Sequence, residues 1–188
     1  MKCTILCLAL LICLALLIIL IDPAQSLSDQ CTGTTRRDAV QKFFDLDYNG
    51  YRLSSAGHSA IWAFTEENGE PPAMPVIVTK TRRIVSEKVL SNGLCSMGIE
   101  FSILGIVSEG ESGLEFKLPK TPLEKKQVEV KCAGETCRIN LEFGHFRVPP
   151  HPGKKAVEDW LDGLEKIQKS VEEANRIRTL KSQISSLN

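Results

Sequence analysis

Gln127–Phe143 reads QVEVKCAGETCRINLEF, and its alternation decides the register of a sheet. Val128, Val130 and Cys132 alternate with Gln127, Glu129 and Lys131, and beyond the loop AGET, Cys137, Ile139, Leu141 and Phe143 alternate with Arg138, Asn140 and Glu142. Strict period two on both sides of a short connection predicts an antiparallel hairpin with one buried face. Setting Cys132 opposite Cys137 also sets Val130 opposite Ile139 and Val128 opposite Leu141, all on the apolar face. A slip of one residue would turn that face to water.

The chain has 188 residues. Residues 1–26 read as a targeting segment: Lys2, an apolar run from Ile5 to Ile21, then Asp22, Pro23 and the small-residue pattern Ala24-Gln25-Ser26. Cleavage after Ser26 gives a secreted or periplasmic protein. The run nearly reaches the roughly 17 residues needed to span a bilayer, so an uncleaved anchor through residues 5–21, with the domain outside the cytoplasm, is the alternative. Formal net charge is zero, and losing the leader removes one charge of each sign, Lys2 and Asp22. The balance offers no argument for nucleic acid as a partner.

Seven cysteines are present, of which Cys3, Cys7 and Cys13 lie in the leader. Of the other four, Cys132 and Cys137 are predicted to form a disulfide, because directly opposed residues at a non-hydrogen-bonded position have Cα atoms about 4.5 Å apart. Cys31 and Cys95 either pair or leave Cys95 a free core thiol. No His or second close Cys pair completes a tetrahedral metal site around the hairpin cysteines, and neither a metal nor another cofactor is expected.

Upstream, Thr34 or Thr35 can cap a helix whose apolar residues Ala39, Val40, Phe43, Phe44 and Leu46 share a face, ended by Asn49-Gly50. Ser54 or Ser55 can cap a second helix carrying Ala60, Ile61 and Phe64. From Val76 the pattern becomes strands. One long strand to Ser91, bent around Lys80–Arg83, turns at Asn92-Gly93 into a return strand, Leu94–Ser108, with Cys95, Met97, Ile99, Phe101 and Ile103 on one face. A third strand carries Leu114, Phe116 and Leu118 and stops at Pro119. The fold class is therefore α+β, with N-terminal helices packed on a strongly bent antiparallel meander. Phe143 and Phe146 disagree in parity, which predicts a bulge at Gly144 and His145.

Lys154–Asn188 carries Trp160, Leu164, Ile167, Val171 and Ala174 at four-three spacing, continued by Ile177, Leu180, Ile184 and Leu187 after an irregular step. This predicts one long amphipathic helix over 154–188, packed on the domain through its first turns. The remainder reads as too polar for a core, and as a seam for a second copy or a partner protein.

Two N-terminal helices with the phrase AVQKFFDLDYNGYRLSS, followed by a long bent strand, an Asn-Gly hairpin and an antiparallel meander, resemble the nuclear transport factor 2-like (SnoaL-like) cone superfamily over roughly Thr35–Pro150, within a domain spanning 32–150. The resemblance implies a curved sheet wrapped around helices with a conical cavity between them. Some members are isomerases or dehydratases, and many extracytoplasmic members have no known activity.

An isomerase of that kind needs a carboxylate base in an apolar cavity and an acid to stabilise the enolate. Asp45, Asp47 and Tyr48 sit near a helix end, where a solvated rim is expected, and Glu100 falls on the polar side of its strand. Tyr51, Trp62 and His58 are placed to line a cavity mouth, Phe101 to line the cavity itself, and His145 to meet a ligand at the bulge. None of these is assigned a catalytic role. The expectation is a non-catalytic domain that binds a small apolar ligand or a protein partner; a cone-cavity enzyme, or a protein acting through its C-terminal helix, are the alternatives.

Overall fold

The computed structural model describes residues 33–54, 60–61, 63–65, 74–90, 94–134, 136–143 and 146–188. The leader, Trp62, His58 and His145 lie outside the described residues, as does most of the expected second helix, of which Ala60 and Ile61 are helical. The elements run α1 (Gly33–Tyr48), a 3-10 turn (Tyr51–Leu53), β1 (Val76–Val89), β2 (Leu94–Gly110), β3 (Gly113–Lys117), β4 (Leu123–Ala133), β5 (Thr136–Asn140), β6 (Glu142–Phe143), β7 (Phe146–Arg147), α2 (Lys154–Ile167) and α3 (Val171–Ser185). The class is α+β, with a curved five-stranded antiparallel sheet.

Helix α1 forms because Val40, Phe43 and Phe44 recur at helical spacing. All three are buried against Met97, Ile99 and Phe101 of β2 and against Val128, Val130 and Ile139 of β4 and β5. The sequence register of the opening hairpin holds: Cys132 pairs with Cys137 and Val130 with Ile139. The Cys132–Cys137 disulfide is formed, with Cα atoms 4.0 Å apart. Ala133 also pairs with Thr136, which shortens the connection to residues 134–135.

The bend of β1 comes from unpaired residues. Register shifts between Val78 and Thr79, between Thr79 and Thr81, and between Ile84 and Ser86 leave Leu104 of β2 and Lys80 and Val85 of β1 without a partner residue. Each extra residue bends the strand and raises its twist. At this end both faces of β1 and β2 are buried: Ile77 and Ile106 face the α1 core, while Val76, Val78 and Val107 pack with Val157, Leu161, Ile177, Leu180 and Ile184 in a second core.

Three expectations need correction. Strands β3 and β4 are not successive rungs of a meander: both pair with β2, β3 along Ile106–Gly110 and β4 along Leu94–Ser102, so they lie end to end on one edge. The prolines of LPKTP allow this, since Pro119 and Pro122 donate no ladder hydrogen bond and break one long strand into two. The bulge expected at Gly144 and His145 falls outside the described residues; on either side of them Phe143 pairs with Phe146 and Glu142 with Arg147 in a short two-stranded sheet.

The C-terminal segment is two helices and not one. Ser170 caps α3, its hydroxyl accepting from the Glu173 N–H at 3.1 Å. Helix α3 then runs back antiparallel along α2, held by the Arg178–Glu165 pair at 2.5 Å, by Lys181–Asp162, and by the Ser185 hydroxyl on Glu158 at 2.7 Å. The part read as too polar for a core is core on one side, since Ile177, Leu180 and Ile184 are buried. The apolar seam is filled from within the chain.

Candidate functional site

The last turn of α1 brings Asp47 onto the buried stripe, three residues after Phe44 and four after Phe43, and its carboxylate is fully buried. The solvated rim expected there is wrong for this residue. Asp47 takes a two-pronged contact from Arg52, Nε to Oδ1 at 2.8 Å and Nη2 to Oδ2 at 2.7 Å, and Oδ2 also accepts the His151 N–H at 2.9 Å. Arg52 is positioned by the 3-10 turn after Gly50, whose φ of 82° is the left-handed conformation glycine adopts without strain.

The partner of this pair is the segment Val148–Gly153, VPPHPG. Its three prolines carry no N–H, so its carbonyls must be satisfied from outside and its few donors must find acceptors. Arg52 supplies Nη1 to Val148 O at 2.9 Å and Nη2 to Pro149 O at 2.7 Å. The N–H groups of Ile77 and Thr79 reach the Pro150 and Pro152 carbonyls, and the Gly153 N–H donates to Tyr48 O at 2.7 Å. The Tyr48 ring lies so close over Gly153 that a Cβ there would sit 2.6 Å from it, so glycine is required.

His151, also buried, completes the network. Its Nδ1 donates to Pro149 O at 2.7 Å, Nε2 stands 3.4 Å from Glu124 Oε2, and the ring stacks on Phe101 with centroids 3.9 Å apart. The hydrogen bond from His151, helped by Lys126 at 2.6 Å, outweighs burial and holds the Glu124 carboxyl down to about 2. Beside it, Asp45 is paired with Arg82 and accepts from Gln41 at 2.8 Å, Arg82 lies over the Tyr48 ring at 4.4 Å, and Tyr48 donates to Lys80 O at 3.2 Å.

Chemically, this cluster is a latch. Three fixed donors reach the Asp47 carboxylate, one on Oδ1 and two on Oδ2, and the group is fully buried, so its contacts hold the chain together. Phe101 does not line an open cavity; it is fully buried between Phe44 and His151. Tyr51 is exposed, and Glu100, on the opposite sheet face, is held between Arg83 at 2.5 Å and Lys125 at 3.6 Å. Sequence reading missed Asp47, Arg52, Glu124 and His151 as one unit. The available signal was an Asp in phase with Phe43 and Phe44, followed by an Arg and, far downstream, a proline-rich run poor in donors.

A second feature is an apolar groove of about 180 Å³ between the helical hairpin and the β2–β3 turn. Leu114, Leu164, Ile177 and Leu180 line it, with Glu173 and Arg176 among its polar residues. At the corner joining α2 to α3, Ile167 and Val171 are 69% and 77% exposed, the most exposed large aliphatic side chains near it. Among the described residues no group of three or more His, Cys, Asp or Glu side chains is arranged to hold a metal ion, and no helix is long and apolar enough to cross a membrane. Comparison with family models, with curated proteins and with solved structures finds no match.

Proposed function

We propose that this chain is a non-catalytic binding domain of the nuclear transport factor 2-like cone type, acting outside the cytoplasm, and that its partner is a protein that inserts one apolar side chain between α2, α3 and β3. The observation that carries the reading is the pairing of a buried, internally paired acid–base cluster with a small apolar groove. The buried carboxylate Asp47 is spent on holding the chain together, whereas Leu114, Leu164, Ile177 and Leu180 offer an apolar lining beside exposed Ile167 and Val171. At about 180 Å³ the groove is smaller than the roughly 300 Å³ at which small-molecule sites begin, which favours a side-chain anchor over a whole apolar ligand. The disulfide and the apolar leader support an oxidising compartment.

The test is selection of displayed peptides against the mature protein, followed by calorimetry with the wild type and with Glu173→Trp, which plugs the groove from an exposed rim position. Enriched peptides should share one Leu, Ile or Phe anchor and bind Glu173→Trp at least about tenfold more weakly, the scale of one well-buried side chain. Binding unchanged in Glu173→Trp, or saturable turnover of a steroid-like or polyketide-like substrate by the wild type, would overturn the proposal.

A further inference from the structure

We propose that the sheet face turned away from α1 binds a sulfated polysaccharide, laid along β1, β2 and β4. Cys95, Met97, Ile99 and Phe101 of β2 face the α1 core, so the intervening Ser96, Gly98 and Glu100 face the other way. The register extends that face across the sheet. Lys88 and Glu129 flank Ser96, Ser86 and Gln127 flank Gly98, Arg83 and Lys125 flank Glu100, and Lys131 stands between Leu94 and Arg138.

Cations gather here although the chain as a whole is neutral. Arg83, Lys88, Lys125, Lys131 and Arg138 are exposed, whereas the carboxylates of the face, Glu100 and Glu129, are buried and half-buried. Glu100 offsets one charge of the pair Arg83 and Lys125, whose side chains stay 72% and 73% exposed, so an excess of positive charge faces solvent. Lys131 lies six residues beyond Lys125 on β4, about 20 Å along the strand. One cationic end is therefore Arg83 with Lys125, and the other is Lys88, Lys131 and Arg138. Lys131 and Arg138 stand directly opposite one another, two cations that a single sulfate can bridge through separate oxygens.

Between the ends the surface is neutral and bears hydroxyl and amide groups. The Ser96 hydroxyl donates to Gln127 Oε1 at 3.0 Å, and Ser86 and Gln127 close over Gly98, where a Cβ would collide with the Ser86 hydroxyl. Sulfates spaced along a sugar chain match the two ends, and sugar hydroxyls match the strip between them. Among the described residues of this face none is aromatic, so it offers no platform on which nucleic-acid bases stack. A protein interface centres on a buried apolar anchor, for which the middle of the face offers, among the described residues, only the half-exposed Val85 beside Gly98. This face shares no residue with the groove between α2, α3 and β3, so either can bind without the other.

The experiment is calorimetric titration of the mature protein, near physiological salt, with a heparin-derived oligosaccharide of defined length, with the same oligosaccharide after desulfation, and with a single-stranded oligonucleotide of equal charge. The sulfated chain should bind saturably and at least about tenfold more tightly than either of the others, and its affinity should fall as salt is raised. The double variant Lys131→Gln/Arg138→Gln should bind about tenfold more weakly, with a salt slope lower by about 2, because two charge contacts are removed. Lys88→Gln should give a smaller loss of the same kind, and Lys42→Gln, an exposed cation of α1 on the other side of the sheet, should bind as the wild type does. Circular dichroism checks that each variant keeps the native fold. Absence of saturable binding to the sulfated chain, equal or tighter binding of the oligonucleotide, or an affinity unchanged in both the double variant and Lys88→Gln would overturn the proposal.

Discussion

At the hairpin end of the sheet, α1 covers one face with Phe43 and Phe44 against Phe101, while the other face carries the Arg83–Glu100–Lys125 ladder. At the opposite end, the same two strands bury both faces, one under the α1 core and one under the α2–α3 hairpin. The unpaired residues Lys80 and Leu104 mark the change. A single pair of strands can thus serve two cores, provided that it bends where the second begins.

Breaking the two cores separately shows whether they unfold together. Phe101→Ala, at the centre of the α1 core and stacked on His151, should cost about 3–5 kcal/mol. Leu161→Ala, fully buried in the hairpin core, should cost about 2–4 kcal/mol. Denaturant unfolding followed by far-ultraviolet circular dichroism and by tryptophan fluorescence should give coincident transitions in both variants, because β1 and β2 belong to both cores. Separate transitions in Leu161→Ala would show that the helical hairpin is an independent unit.

Replacing both Cys132 and Cys137 by Ser should cost about 2 kcal/mol, since so short a loop restrains the unfolded chain only slightly. The loss should appear as a lower denaturant midpoint, the same by circular dichroism and by tryptophan fluorescence. Glu124 sharpens the comparison by pH. Its folded carboxyl is held near about 2 against an ordinary 4.5, so its stabilisation is complete above pH 4.5 and is lost as pH falls from there toward about 2. For a partly exposed carboxylate the effect should be about 1 kcal/mol after solvent screening. Wild type and Glu124→Gln should therefore differ in denaturant midpoint near about pH 6 and converge near about pH 2.

The smallest expected effect is at the corner of the helical hairpin. Ile167→Glu and Val171→Glu alter exposed side chains and should move stability by less than about 0.5 kcal/mol. A larger loss, read by thermal unfolding, would mean that these residues are covered in solution.

Much of the α1 side was legible because it alternates. Cys132, Val130 and the facing Cys137 and Ile139 set one register, and Cys95 to Ile103 set the buried face of β2. The side under α2 and α3 was less legible because its strands do not alternate. Val76-Ile77-Val78 and Ile103–Val107 are nearly continuous apolar runs, the pattern of strands buried on both faces, and that pattern predicts a second covering layer. The fold-back of the C-terminal segment also had a signal. Ser170 with Glu173 is a helix-start spacing inside what reads as one helix, and the irregular step after Ala174 belongs to a new helix instead of a disturbed seam.

What the sequence by itself determined is local. Period two, helical spacing and turn residues gave the α+β class, the Cys132–Cys137 pairing and the apolar face of α1, because each depends on residues a few positions apart. The tertiary structure alone decided that β3 and β4 share one edge of β2 and that α3 returns along α2. It also decided that Asp47, Arg52, Glu124 and His151 meet in one buried cluster. The Asp47–His151 contact joins residues 104 positions apart. No local pattern encodes such a contact; it forms only once the sheet has bent and the proline-rich segment must find donors for its carbonyls.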